Sequence, residues 1–225
     1  MEHAALTAER AITGRDVRLE GVVRVTAVEG FAEALLMPVF VNLAERFPGI
    51  VIELIGADRT LSLAAREADL AIRLARPRGQ SILARRIGTL EFGFYASAGY
   101  LARHGTPDFA VDKGEGHRLL LLRDETGIYP EHDHMVALLP LARPAFRADS
   151  HIARRRAAEA GLGIACLARY SVAETGLMRI AAPDPPGREI WLAQHEDTRT
   201  TPRIRAVAEA IAAGLRERRV VNSGA

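Results

Sequence analysis

The sequence predicts an α/β fold, and three observations carry that reading. β-branched runs alternate with stretches of helical periodicity along the chain. Glycine and proline punctuate the joins, as at Pro48-Gly49, Pro77-Arg78-Gly79, and Gly105 with Pro107. Apolar residues make up 48% and charged residues 26% of the 225 positions, a balance that suits a globular chain with a sizeable core rather than a disordered one.

The run Gly21-Val22-Val23-Arg24-Val25-Thr26-Ala27 is β-branched and partly alternating, and reads as the first strand. Helical spacing follows over residues 31–47. Leu36, Phe40, Leu43 and Phe47 form one apolar stripe, expected to pack on the helix's own sheet. Ala34, Met37, Val41 and Ala44 form a second, which needs cover from another lobe or another subunit. Pro38 is expected to kink this helix or mark its first full turn, and Pro48-Gly49 to end it.

A strand over 50–55, a short helix over 60–68 and a strand over 69–73 continue the alternation. Residues 82–87 and 91–96 read as two extended runs on either side of Gly88. A second set of elements begins near Ser97: a short helix to His104, a buried strand over 118–123, and an extended run over 145–148. Asp149-Ser150 then caps a helix that Gly161-Leu162-Gly163 ends. Residues 124–143 are rich in turn formers and histidine and read as irregular. Near the end, 189–194 is strongly β-prone. Residues 202–218 form a helix with Ile204, Val207, Ala208, Ile211 and Leu215 on one face and Pro202 in its first turn. An alanine-rich helix is also expected over residues 2–14.

Several function classes lose ground on composition. No apolar run approaches the ~20 residues of a membrane-spanning helix, so no membrane partner is expected. The first ten residues have neither a basic start nor an apolar stretch, which argues against a secretory signal. A single cysteine, Cys166, rules out an intramolecular disulfide framework and suits a cytoplasmic location. It lies in the apolar run Gly163-Ile164-Ala165-Cys166-Leu167 and reads as a small core residue.

Formal net charge is only +2, although the pI is about 9.0, and Lys113 is the sole lysine. Arg154-Arg155-Arg156 and Arg216-Glu217-Arg218-Arg219 are the basic clusters. Both read as helix ends or solvated helix faces rather than as a DNA-binding stripe.

Glu131-His132-Asp133-His134 resembles a metal-ligand run. On an extended segment, however, neighbouring side chains point to opposite faces, so a solvated loop and no metal are expected. There is no Gly-x-Ser-x-Gly elbow, no phosphate-binding Gly-x-x-x-x-Gly-Lys loop and no dinucleotide fingerprint. Neither an enzyme nor a cofactor is therefore predicted.

Five fragments in order resemble the effector domain of LysR-type transcription regulators. They are Gly21-Val22-Val23-Arg24-Val25; Leu36-Met37-Pro38 with Glu45-Arg46-Phe47-Pro48-Gly49-Ile50; the run from Leu63 through Asp69 to Arg73; Tyr95-Ala96-Ser97-Ala98-Gly99-Tyr100-Leu101; and Ala160-Gly161-Leu162-Gly163-Ile164-Ala165. The resemblance implies two α/β lobes of the type II periplasmic-binding-protein-like architecture, joined by two crossover strands with a ligand cleft between. It puts the crossings at 92–96 and 190–194. Lobe I is then 20–96 plus 195–219 and lobe II 97–194, with 1–19 as the end of a linker helix and connector and 220–225 as a tail.

The resemblance also implies a small-molecule effector, an organic acid or similarly polar metabolite. Its contacts would come from Thr26 and Val28 at the turn into the long helix, from Arg59 and Thr60, and from Ser150 and Arg123. Arg73 ends a strand and is either a cleft-rim contact or a surface partner of Asp69 or Glu67. Thr60 and Ser150 can equally be helix caps that need no ligand. Glu29 near the mouth would repel an anion unless it points away. Family members pair as homodimers or tetramers, and Phe31, Met37 and Val41 are the interface expected here. DNA would be reached only through a winged helix-turn-helix that these 225 residues do not contain. A solute-binding protein for transport shares the fold and is the alternative.

Overall fold

The computed structural model describes residues 19–56, 68–77, 79, 81–123, 129–217 and 221–222. Among them, eleven strands appear in chain order: β1 (Gly21–Ala27), β2 (Ile50–Gly56), β3 (Leu70–Arg73), β4 (Ile82–Leu90), β5 (Phe92–Ser97), β6 (Arg118–Leu122), β7 (Arg143–Ala148), β8 (Ile164–Ala168), β9 (Leu177–Ile180), β10 (Arg188–His195) and β11 (Val221–Asn222). The expected helices over 2–14 and 60–68 fall, apart from Ala68, outside the described residues, as do Arg59 and Thr60.

The chain divides into two compact units. One is Met1–Gly88 with Glu189–Ala225; the other is Thr89–Arg188. The first holds a sheet in the order β11-β4-β10-β3-β1-β2. β1 pairs in parallel with β2 on one side and β3 on the other, and β10 runs antiparallel to β3. Alternation sends Val23 and Val25 of β1 inward and leaves Val22 and Arg24 exposed.

Helix α1 joins β1 to β2 in three stretches: Glu29–Phe31 and Met37–Arg46 are α-helical, and Ala32–Leu36 between them is a π-turn. The N–H of Met37 reaches back five residues to the Ala32 carbonyl. Pro38 has no N–H to extend that register, and it sits in the first turn of the closing α-helical stretch. The inward face is Leu35, Leu36, Val39 and Leu43. Phe40 and Phe47, expected on it, lie at its flank and are half-buried. Phe31, expected at a subunit interface, is 2% exposed inside its own unit, whereas Met37 and Val41 are open at 38% and 59%.

The second unit's sheet runs β7-β6-β8-β5-β9, with β6 parallel to both β7 and β8 and β5 antiparallel to β8 and β9. Three helices belong to it: α2 (Ala98–His104), α3 (Pro130–Leu138) and α4 (His151–Glu159). Tyr95, Leu120, Ala158, Ala165 and Leu167 make a core between sheet and α4. In the first unit, α5 (Pro202–Arg216) buries Ile204, Val207, Ala208, Ile211 and Leu215, the five positions its periodicity selects.

Two expectations change. α3 occupies part of the stretch read as irregular, with Glu131 and Met135 buried one turn apart. Extended backbone runs through Gly88 in β4 and breaks at Glu91. The units divide at Gly88/Thr89 and Arg188/Glu189, and two strands, β4 and β10, run through those joins.

Gly161, with φ +78°, follows α4 and lets the chain turn out of the helix. Gly163 serves a different need. A Cβ there would lie 2.5 Å from the Arg118 carbonyl oxygen, where β8 starts beside β6. Gly163→Ala is expected to destabilise the domain by about 1–3 kcal/mol in urea unfolding. Gly176→Ala, where a Cβ meets nothing within 4 Å, should stay close to wild type by the same measurement.

Candidate functional site

Parallel pairing gathers the carboxyl ends of β1, β2 and β3 at one edge of the first sheet. Thr26 stands opposite Ile55 on one side and Ala71 on the other. Such strand ends are where open α/β sheets receive ligands. Thr26 is fully buried. The β1–β3 pairing runs only through Thr26, and the Arg73 guanidinium fills the place where it stops. Arg73 Nη1 donates to the carbonyls of Thr26 at 3.2 Å and Ile72 at 2.9 Å, and Nη2 lies 3.4 Å from Thr26 Oγ1. Burial lowers the Arg73 pKa from its ordinary value. Asp69, offered as a surface partner, instead accepts the Arg24 N–H at 2.8 Å. Val28 is the N-cap of α1 and supplies no side-chain cap, while Glu29 is exposed beside it.

The second unit repeats the arrangement. β6 and β7 end together at Leu122 and Ala148, and the Arg123 N–H donates to the Ala148 carbonyl at 3.1 Å. Ser150 caps α4: its Oγ accepts the Ala153 N–H at 3.2 Å, and its own N–H donates to Asp149 Oδ1 at 2.9 Å. Capping uses the hydroxyl oxygen as acceptor and leaves its proton to donate elsewhere. The structure therefore brings Thr26 to Val28 and Arg73 together in one unit, and Arg123 to Ser150 in the other.

Below Ser150 lies a buried polar cluster that sequence reading missed. Arg154, placed among solvated arginines, is 4% exposed. Its Nη1 donates to the Cys166 carbonyl at 3.3 Å and its Nη2 to His151 Nδ1 at 2.6 Å. Glu131 is 5% exposed and faces Arg188 at 3.6 Å, with the Arg188 guanidinium 5.1 Å above the Tyr129 ring. Burial raises the Glu131 pKa, while Arg188 and Arg154 pull it back. Cys166 is buried, which holds its thiol well above the usual range and removes its reactivity. A signal for Arg154 did exist: it stands four residues before Ala158, on the face α4 buries.

The His-rich run is helical and partly buried, not a solvated loop. Even so, no group of three or more His, Cys, Asp or Glu among the described residues is placed to hold a metal. Among those residues, no helix is long and apolar enough to cross a membrane.

His151 is pushed down to about 4 by burial, then by Arg154 and Arg188. The unfolded state therefore binds a proton as pH falls below its ordinary value near 6.5, and the folded state does not until about 4. Stability is full above that window and is lost across it on acidification. His151→Gln, whose amide oxygen can still accept from Arg154, should shrink the loss between neutral pH and the bottom of the window. The expected reduction in urea unfolding is on the order of 2 kcal/mol. An equal loss in both proteins would place the acid sensitivity elsewhere.

Two α/β units, each with polar groups at the ends of parallel strands, define the type II periplasmic-binding-protein-like class. The family described as the LysR substrate binding domain matches residues 17–216, and the chain belongs to that family. Among curated relatives, the transcriptional regulator CrgA of Neisseria meningitidis serogroup C is 30% identical over 159 residues, covering 68% of this chain and 51% of that protein. The Mau operon transcriptional activator of Paracoccus denitrificans is 27% identical over 186 residues, covering 82% of this chain and 62% of that protein. Against the first of these, the chain spans about half the relative's length. Among solved structures, the CrgA regulatory domain superposes with a TM-score of 0.73 at 24% identity, over 86% of this chain and 98% of that one. Full-length AphB of Vibrio cholerae gives 0.70 at 20% identity, over 94% and 76%. These likenesses establish the fold, and the family is one of transcription regulators rather than an enzyme class.

Proposed function

We propose that the chain is the effector-sensing part of a LysR-type transcription regulator that takes a small organic acid or similarly polar metabolite. The contacts assigned to it are Thr26, Val28 and Arg73 in one unit and Arg123 and Ser150 in the other, with Arg59 and Thr60 from outside the described residues. One observation carries this reading: each unit has a hydroxyl residue, an arginine and a helix start at the carboxyl ends of parallel strands. Helix starts present N–H groups to an acceptor, and arginine suits a carboxylate.

Effector binding controls transcription only if it favours one arrangement of the protein over another. The arrangement proposed is that of a homo-oligomer, with DNA reached through a winged helix-turn-helix of the kind the family carries. Met37, Val41 and Ala44 lie exposed along one side of α1 and form the proposed seam.

A thermal-shift screen of small organic acids should find a stabilising compound, and calorimetry then tests the contacts. Thr26→Val and Ser150→Ala should each weaken binding by on the order of 1 kcal/mol, about fivefold, or more where the hydroxyl meets a charge. Unchanged affinity in both would move the site elsewhere.

Val41→Glu places a charge on the seam twice in an isologous pair. Sedimentation should shift toward monomer with far-UV dichroism unchanged. A wild-type chain already monomeric at about tens of micromolar would defeat the pairing proposal.

A further inference from the structure

The first sheet has a second face, and it carries a feature that the effector reading does not use. Residues paired across the sheet share a face. Thr26 is opposite Ala71 and Ala71 opposite Ala193, and Arg73 follows Ala71 by two, so the effector groups of this unit lie on the Ala193 side. Leu192 and Gln194 stand opposite Ile72 and Leu70 and point the other way, toward α5. On that side, where α5 passes β4 and β10, is a hollow of about 290 Å³.

Its floor is apolar. Leu192 and Ala208 are 3% and 6% exposed, and Leu83 of β4 is half-buried beside them. Its rim is made of guanidiniums. Arg85 Nη2 is engaged with the Ala208 carbonyl at 3.1 Å, which holds the arginine against α5. Among the described residues the Arg205 side chain has only an exposed ion pair at 3.8 Å with Glu209, of the kind that adds little in water. Arg199 makes no side-chain hydrogen bond or ion pair among the described residues. Three arginines against one carboxylate leave the rim with excess positive charge, and the Gln194 amide adds a neutral donor and acceptor between floor and rim.

We propose that this hollow is a binding site for a small monocarboxylic acid with a compact apolar body, separate from the Thr26 site. The guanidiniums of Arg199 and Arg85 take the carboxylate, and Leu83, Leu192 and Ala208 take the body. The volume is at the small end of ligand pockets (about 300–1,000 Å³), which restricts the body to roughly one ring. An inorganic anion would leave the floor wet, and a neutral ring would leave the rim uncompensated. The class is therefore amphipathic.

The probe is cyclohexanecarboxylate, titrated into the full chain while the methyl signals of Leu83 and Leu192 are followed by NMR. Both should shift in a saturable way below about 10 mM. Acetate, which has the head without the body, and cyclohexanemethanol, which has the body without the charge, should each bind at least about tenfold more weakly. Arg199→Gln should weaken the probe by about fivefold or more, whereas Thr26→Val should leave it within about twofold. Absence of saturable shifts overturns the proposal, as does equal binding of the alcohol, which would make the rim a solvated surface only. Loss on Thr26→Val with retention in Arg199→Gln would place the acid in the Thr26 site instead. That outcome would support the effector reading while removing this one, so the two fail separately.

Discussion

A parallel strand pair cannot be closed by a tight turn. Each strand must hand the chain to a longer crossover that returns it to the same end of the sheet. In this protein β1 has parallel partners on both sides, and so does β6. That arrangement collects strand carboxyl ends at one edge of each sheet and lets helices begin there. Each described residue proposed for effector binding stands at such an edge. Arg73 shows the constraint in detail: the ladder between β1 and β3 stops after Thr26, and the guanidinium then donates to the Thr26 carbonyl. An arginine so engaged is a fixed positive wall, and its remaining N–H groups are what a ligand would meet.

The second unit handles charge differently. Arg154 is carried inside by α4, with a backbone carbonyl and a neutral histidine as acceptors. Glu131 arrives from α3 and Arg188 from the start of β10. Burial works against the charged forms of Glu131, His151 and Arg154, which is why Glu131 is raised and His151 and Arg154 are lowered. Removing one member would strand the others, a larger perturbation than the modest worth of the intact pair. The cluster joins three elements distant in sequence directly beneath the Ser150 cap.

Much of this was legible in the residues. Strands such as β1 and β2 announce themselves by β-branched alternation, and α5 by five apolar positions at helical spacing that all prove buried. Thr26, Val28, Arg73, Arg123 and Ser150 fall at strand ends and helix starts because those junctions are local events. What could not be read depends on tertiary context. The apolar runs of β5 and β10 look alike whichever sheet receives them, and only pairing assigns β5 to the second sheet and β10 to the first. A Glu-His-Asp-His run inside α3 has almost no amphipathic signal, and three consecutive arginines conceal that one of them points inward. The arginine-rimmed hollow escaped for the same reason. Its walls come from β4, β10, α5 and the turn at Arg199, and no window of sequence contains them together.

The position of β10 bears on how the molecule comes into being. It lies between β4 and β3, in the interior of the first sheet, yet it is made only after the whole of the second unit. The second unit is one uninterrupted stretch and can form its sheet as it leaves the ribosome, since domains generally fold as units during synthesis. The first unit cannot. Until residues 188–195 arrive, β3 and β4 lack the strand that joins them, and their unpaired edges stay exposed while about a hundred further residues are added. Long-range pairing of this kind is slow to establish. The later strand thus closes the earlier unit, whose sheet is completed only after the second unit has been made.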